Sequence, residues 1–177
     1  MYQKLIVDKI TSVLDVTASG NDDKLMQLIA QAGRIFVTGA GRSGLVSRFF
    51  GMRLTHCGYK VSMVGEIVTP SIQAGDLFIV ISGSGGTETL LPLVKKAKSM
   101  NAKVAVISMK DKSAMADMAD LVVQVGKDES YGKLYEMPMG SVFELTTLVY
   151  LEAIIAKIMH AKGLTEDGMR AIHANLE

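Results

Sequence analysis

Five short apolar runs that alternate with segments of helical periodicity constrain the fold of this chain most strongly. Runs of this kind, continuous rather than alternating, are typical of strands buried on both faces of a parallel sheet. They lie at residues 34–38, 60–64, 76–81, 103–107 and 121–125, and helical patterns fall at 2–18, 22–32, 44–57, 88–100, 113–119, 141–161 and 166–176. This order predicts an α/β fold, a three-layer doubly wound five-stranded parallel sheet with flanking N- and C-terminal helices. It leaves the strand order open.

Two turns rich in glycine and serine follow the first and third predicted strands, where ligands of such sheets bind. The first turn, residues 39–44, has glycines at the spacing of a dinucleotide fingerprint, and Glu66 ends the second strand, so this turn alone also permits NAD. The second turn, residues 82–87, favours a phosphomonoester because hydroxyls and amides crowd into one small volume. The predicted phosphate group consists of Ser43, Ser82, Ser84 and Thr87, with the amides of Gly83, Gly85 and Gly86.

Composition and charge narrow the classes of function. The 177 residues suit one domain, 1–177, and a net charge of +1 without basic blocks argues against a nucleic-acid partner. No apolar run approaches the roughly 18 residues that a membrane span requires. The lone Cys57 and an N-terminus without a long apolar core predict a cytoplasmic protein. No residues have metal-ligand spacing, so neither a metal nor another cofactor is expected.

The predicted helix 141–161 is apolar on much of its circumference and so has more apolar surface than one domain is expected to cover. Together with the apolar N-terminal helix, it predicts contacts with sister subunits and hence a homo-oligomer. The alternative is a helix packed entirely on its own sheet. Residues 126–140, between the last predicted strand and this helix, are interpreted as an irregular loop and a candidate lid over the strand ends.

The pairing of GxGxSG after the first strand with SxSGxT after the third resembles the sugar isomerase (SIS) domain, which is flavodoxin-like, over nearly the whole chain. Four motifs sharpen the resemblance toward the 6-phospho-3-hexuloisomerase family: residues 39–44 (GAGRSG), 64–70 (VGE with TP), 138–144 (PMGSVFE) and 173–177 (HANLE). Ser141 stands where the family commonly has threonine. The resemblance implies interconversion of D-arabino-3-hexulose 6-phosphate and D-fructose 6-phosphate in the ribulose monophosphate route of formaldehyde fixation, without a cofactor, in a homotetramer. Arabinose 5-phosphate isomerase, another phosphosugar isomerase of this domain type, and a non-catalytic sugar-phosphate sensor remain alternatives.

Isomerisation of this kind needs a base at C2 and a polar group that shuttles protons between the oxygens. Glu144 in the family's PxGxxFE pattern is the first candidate for the base, although Ser141 and Glu144 also fit a capping box. His56 and His173 are the candidates for the acid or the proton shuttle, and the resemblance favours His173 for this role. Arg42 is a candidate ligand of the substrate's phosphate or sugar hydroxyls, and Glu66 is a candidate ligand of sugar hydroxyls; alternatively, the two pair with each other across adjacent strand ends. Glu88 is expected in the first turn of the next helix, where its charge favours the helix terminus.

Overall fold

The computed structural model, which describes residues 1–131 and 137–175, contains a sheet of five parallel strands. Its order is β2-β1-β3-β4-β5, so β1 and β3 are neighbours although β2 lies between them in the chain. The chain therefore leaves β1 toward one edge and β3 toward the other, which makes a topological switch point at their carboxyl ends. The strands are β1 (Ile35–Gly39), β2 (Val61–Met63), β3 (Leu77–Ile81), β4 (Lys103–Ser108) and β5 (Leu121–Gln124). The predicted α/β fold is confirmed.

Six α-helices accompany the sheet in the described residues. They are α1 (Tyr2–Leu14), α2 (Asn21–Gln31), α3 (Arg42–His56), α4 (Leu91–Ser99), α5 (Ser141–Lys162) and α6 (Glu166–Ala171), with 3₁₀ turns at Ala116–Met118 and Asp128–Tyr131. Successive strand residues point to opposite faces of the sheet, and both faces are buried, which explains why the apolar runs are continuous. Ile35, Val37 and Ile79 join the core cluster that includes α2, α3 and α5, whereas Phe36, Phe78 and Val80 join the cluster that includes α4. The sheet is thus the middle of three layers.

Several predicted helix boundaries are wrong. Helix α1 ends at Leu14 rather than 18. Beyond this end, the Thr17 hydroxyl donates to the Val13 carbonyl and accepts the amide of Gly126. The prediction for 113–119 yields only the 3₁₀ turn, whose first residue donates its amide to the Ser113 hydroxyl. Helix α6 ends at Ala171, and of the predicted remainder Leu176 lies outside the described residues.

Helix α5 is covered by its own chain more fully than its composition suggests. It packs against α1, α2 and α3, and its large apolar side chains are buried or half-buried except Val149, which is 44% exposed. Helix α5 by itself is thus largely covered by its own chain, whereas α1 keeps apolar side chains such as Val7 exposed. The expected contact of these helices with sister subunits stays a prediction. Within residues 1–131 and 137–175, no helix is both long enough and apolar enough to cross a bilayer.

Candidate functional site

The two glycine-serine turns leave the sheet side by side. Gly39 at the end of β1 is in register with Ile81 at the end of β3, so residues 39–44 and 82–87 share one edge of the sheet. The first turn is tight, because a Cβ on Gly39 would lie 2.7 Å from the Ser43 carbonyl oxygen and one on Gly44 would lie 2.8 Å from the Gly39 carbonyl oxygen. This glycine spacing therefore serves close packing of strand on helix, and Ser43 lies in the first turn of α3, next to exposed amides.

The second turn is closed by its own hydroxyls. The Ser82 and Thr87 hydroxyl oxygens lie 3.0 Å apart, and the Ser84 hydroxyl accepts the Gly86 amide at 3.2 Å. The Gly85 amide donates to the Ser82 carbonyl, so two of the three predicted phosphate-binding amides have partners inside the turn. Ser82 is buried, whereas Ser84 and Gly86 are exposed. The turn thus presents an ordered set of hydroxyls at the sheet edge.

This second turn does not open directly into a helix as predicted. Helix α4 begins at Leu91, with proline in its first turn, and Glu88 precedes it in a separate turn. Because proline at that position favours a helix start there, the helix does not extend back to 88. The expectation that Glu88 lies in the first helical turn is wrong.

The N-terminus of α5 brings a carboxylate to the same edge. A Cβ on Gly83 would lie 3.1 Å from the ring of Phe143, so the start of α5 packs on the second turn. The next residue, Glu144, accepts hydrogen bonds from Nε of Arg42 at 2.7 and 2.8 Å, one on each carboxylate oxygen. The Glu144 side chain is 18% exposed and that of Arg42 is 54% exposed. An acid–base group and a guanidinium thus border both turns.

Two local expectations about these charges are wrong. The capping box at Ser141 does not form, because the N-cap of α5 is Gly140 with no side-chain cap bond, and Glu144 is held by Arg42. Arg42 does not pair with Glu66 either. Glu66 instead accepts from Nη1 of Arg48, six residues further along α3, at 2.6 Å. Glu66 follows β2 on the flank of the same edge and is half exposed.

The two candidate histidines lie elsewhere in the chain. The rings of His56 and His173 stack with centroids 5.0 Å apart, at the C-terminal end of α3. Arg42 begins that helix and His56 ends it, a separation of about 21 Å at 1.5 Å per residue. His56 and His173 line a cavity of about 500 Å³ together with Arg53, Glu152 and Arg170. Within one chain the structure does not bring them to Glu144.

The candidate lid is partly outside the described residues, since 132–136 are not described. On its N-terminal side, Tyr131 donates its hydroxyl to the Val125 carbonyl, and its ring meets the edge of Phe143 at 6.3 Å. Burial raises the pKa of Tyr131. On the C-terminal side Met137 is buried. The described ends of this segment are thus packed against the site.

Sequence analysis assigned no individual role to three residues that shape the site, namely Arg48, Gly140 and Phe143. Gly140 and Phe143 belong to the PxGxxFE pattern, whereas no pattern singles out Arg48. Across residues 1–131 and 137–175, no group of three or more histidine, cysteine, aspartate or glutamate side chains is arranged to hold a metal ion.

Comparison with known proteins agrees with this geometry. The sequence profile of the SIS domain matches residues 28–156. A 3-hexulose-6-phosphate isomerase of Methylomonas aminofaciens is 67% identical over 178 residues, covering 99% of this chain and 98% of the relative. Another of Bacillus subtilis (strain 168) is 43% identical, covering 99% and 97%. The crystal structure of a Methanococcus jannaschii protein, for which the function of 3-hexulose-6-phosphate isomerase was inferred, superposes with a TM-score of 0.88 at 36% identity. The match covers 99% of this chain and 98% of the other. The chain therefore belongs to the SIS-domain family, among its 3-hexulose-6-phosphate isomerases.

Proposed function

We propose that this protein interconverts D-arabino-3-hexulose 6-phosphate and D-fructose 6-phosphate as a single SIS domain over residues 1–177. Family membership and relatives of that name at 67% and 43% identity support the reaction. The single structural observation that carries it is the Glu144 carboxylate, which lies at the sheet edge beside both hydroxyl-bearing turns. This arrangement suits a substrate with a phosphate at one end and an acidic C–H bond further along.

The chemistry moves a carbonyl from C3 to C2 through a 2,3-enediol. A base takes the proton from C2, the electron pair of that C–H bond forms the C2–C3 double bond, and the C3 oxygen receives a proton. The enediol then loses the proton of its C2 hydroxyl, C3 is protonated, and the carbonyl stands at C2. No electrons leave the sugar, so one carboxylate and a proton shuttle between the oxygens are sufficient.

We assign Glu144 as the base and the two turns as the phosphate anchor. Ser43, Ser82, Ser84 and Thr87 supply hydroxyls, and the N-terminus of α3 supplies the positive end of its helix dipole. Binding energy from the phosphate then serves to orient the reacting carbons. Glu66 remains our candidate for the residue that binds a sugar hydroxyl on the β2 side of the same edge.

The first experiment mixes the purified protein with enzymatically generated 3-hexulose 6-phosphate and excess chelator, and follows fructose 6-phosphate with a coupled dehydrogenase. Turnover is expected. The variant Glu144→Gln should lose about 10²- to 10⁴-fold in kcat, the usual range for a positioned acid or base. Asp8→Asn is the control, because Asp8 forms an exposed pair with Lys4 on α1, remote in the fold from the turns. Full activity in Glu144→Gln would refute the base assignment.

The distance between the histidines and Glu144 leads us to propose a homo-oligomer, a tetramer as in the family resemblance, in which the site is shared between subunits. About 21 Å along α3 separates His56 from the turns of its own chain, so an acid or shuttle role for His56 or His173 requires the turns of another copy. An exposed apolar surface supports such an assembly. This α3 patch consists of Leu45, Phe49, Met52, Ile67 and Val68, of which Ile67 and Val68 are 103% and 90% exposed.

Subunit complementation tests the shared site. Glu144→Gln and His173→Asn are each expected to be nearly inactive alone. The two variants are co-expressed so that their subunits mix at random, and half of the subunit pairs then contain one copy of each variant. If Glu144 and His173 of one site come from different subunits, one of the two sites in each mixed pair has both native residues. About one quarter of wild-type activity should therefore return. No recovery would refute a shared site. Light scattering of Ile67→Asp, with the Val16→Asp variant outside the patch as control, tests whether the α3 patch carries the assembly.

A further inference from the structure

Arg42 joins three parts of the site that are far apart in sequence. Its Nε donates to both oxygens of Glu144, and its Nη2 donates to the carbonyl oxygen of Met139 at 2.7 Å. Arg42 begins α3, whereas Met139 and Glu144 lie just before and in the first turn of α5. One planar guanidinium therefore fixes both the carboxylate and the backbone that leads into its helix.

These contacts point away from a phosphate-binding role for Arg42. The edge of the guanidinium formed by Nε and Nη2 is occupied by protein oxygens. A phosphate that took this edge would have to displace Glu144, a like charge, from its only described cation partner. The hydroxyls of the two turns offer the phosphate partners without that exchange.

Gly140 is the residue whose size permits this arrangement. It is the N-cap of α5 with φ of +86°, and a Cβ there would lie 2.4 Å from Nη2 of Arg42 and 2.8 Å from a carboxylate oxygen of Glu144. Both distances are shorter than real Cβ contacts show. Any larger residue at 140 would therefore push the guanidinium and the carboxylate out of their present geometry.

We propose that Arg42 is a positioning residue that acts on the isomerisation through Glu144 rather than by binding the substrate phosphate, and that Gly140 is required because it leaves room for that contact. The inference rests on the proposed function, in which Glu144 is the base. It specifies how the base is oriented, and it makes Arg42 a partner of the Glu144 carboxylate instead of a ligand of the substrate phosphate.

The first test separates positioning from phosphate binding. In Arg42→Gln we expect kcat to fall by about 10²-fold, as for a misplaced catalytic group. The inhibition constant of inorganic phosphate, used as the probe of the anion site, should stay within about threefold of wild type. Arg42→Lys should recover little of kcat, because lysine keeps the charge but lacks the fork. A weakening of phosphate inhibition of tenfold or more, or an unchanged kcat, would overturn the inference.

The second test uses a glycine pair with matched backbones. Gly20 is the N-cap of α2 with φ 93° and ψ −13°, close to the 86° and −17° of Gly140, but a Cβ on Gly20 meets nothing within 4 Å. Gly20→Ala and Gly140→Ala therefore impose the same backbone strain, and only the second displaces the pair. We expect Gly140→Ala to lose at least about tenfold in kcat while Gly20→Ala keeps it. Equal activities of the two variants would overturn the inference.

The two proposals fail in different ways. If the wild type does not turn over the sugar, or if Glu144→Gln remains active, the proposed function fails. If Glu144→Gln is inactive while Arg42→Gln keeps its kcat or loses phosphate affinity, only the role inferred for Arg42 fails.

Discussion

The tight first turn allows a quantitative prediction from a single added methyl group. A Cβ on Gly39 would lie 2.7 Å from the carbonyl oxygen of Ser43, 2.8 Å from its carbonyl carbon and 3.0 Å from the amide nitrogen of Gly44. These are backbone atoms, which cannot rotate away as the end of a side chain can. Since ordinary contact begins at 3.4 Å, the first turn of α3 must move by about 0.7 Å in the variant Gly39→Ala.

This displacement moves Ser43 and Arg42 relative to the second turn. Overpacking of this kind costs about 1–3 kcal/mol of stability. A misplacement of about 1 Å near a reacting group costs about 10²-fold in rate, so 0.7 Å is expected to lower kcat/KM by between tenfold and 10²-fold.

Gly33→Ala, just before β1 and outside both turns, is the matched control. Gly33 has no positive φ, and the nearest atom that a Cβ there would meet is a carboxylate oxygen of Asp76 at 3.6 Å, so the methyl group fits. The assay is initial-rate kinetics of both variants, together with urea unfolding at one fixed protein concentration. The reasoning is refuted if Gly39→Ala matches Gly33→Ala in kcat/KM, because the close approach would then not position the helix.

Two further predictions concern stability. Burial raises the pKa of Asp120, but hydrogen bonds from Lys98, the Val104 amide and Lys103 outweigh it and hold this pKa below 3.8. A depressed carboxyl pKa adds stability that is complete above the unfolded value of about 3.9 and is lost as the pH falls through the folded value. Asp120→Asn should therefore be about 1–2 kcal/mol less stable than wild type at pH 7 in urea unfolding, and the gap should close toward pH 3; a gap independent of pH would contradict this. The Tyr150 hydroxyl is buried without a hydrogen-bond partner among the described residues, and burial raises its pKa to about 12. Tyr150→Phe should keep or raise thermal stability, by up to about 1 kcal/mol, and a clear loss would show that the hydroxyl has a partner.

Local rules failed where a distant partner competed for the same group. Ser141 and Glu144 satisfy the capping-box pattern, yet Glu144 turns to Arg42, 102 residues earlier, because the guanidinium adds an opposite charge that a backbone amide lacks. Helix α5 looks too apolar for one domain, yet α1, α2 and α3 cover much of it. Neither outcome is visible in a window of neighbouring residues.

The sequence by itself determined the five strands, the parallel α/β layers and the two turns at their carboxyl ends, because apolar periodicity and glycine positions act over a few residues. Tertiary structure alone decided the strand order, which makes β1 and β3 neighbours and so unites the two turns. It also decided that Arg42 meets Glu144 and that the ring of His173 stacks on that of His56 at the far end of α3. Those outcomes depend on which helix packs on which face, and that is set by the fit of the whole core.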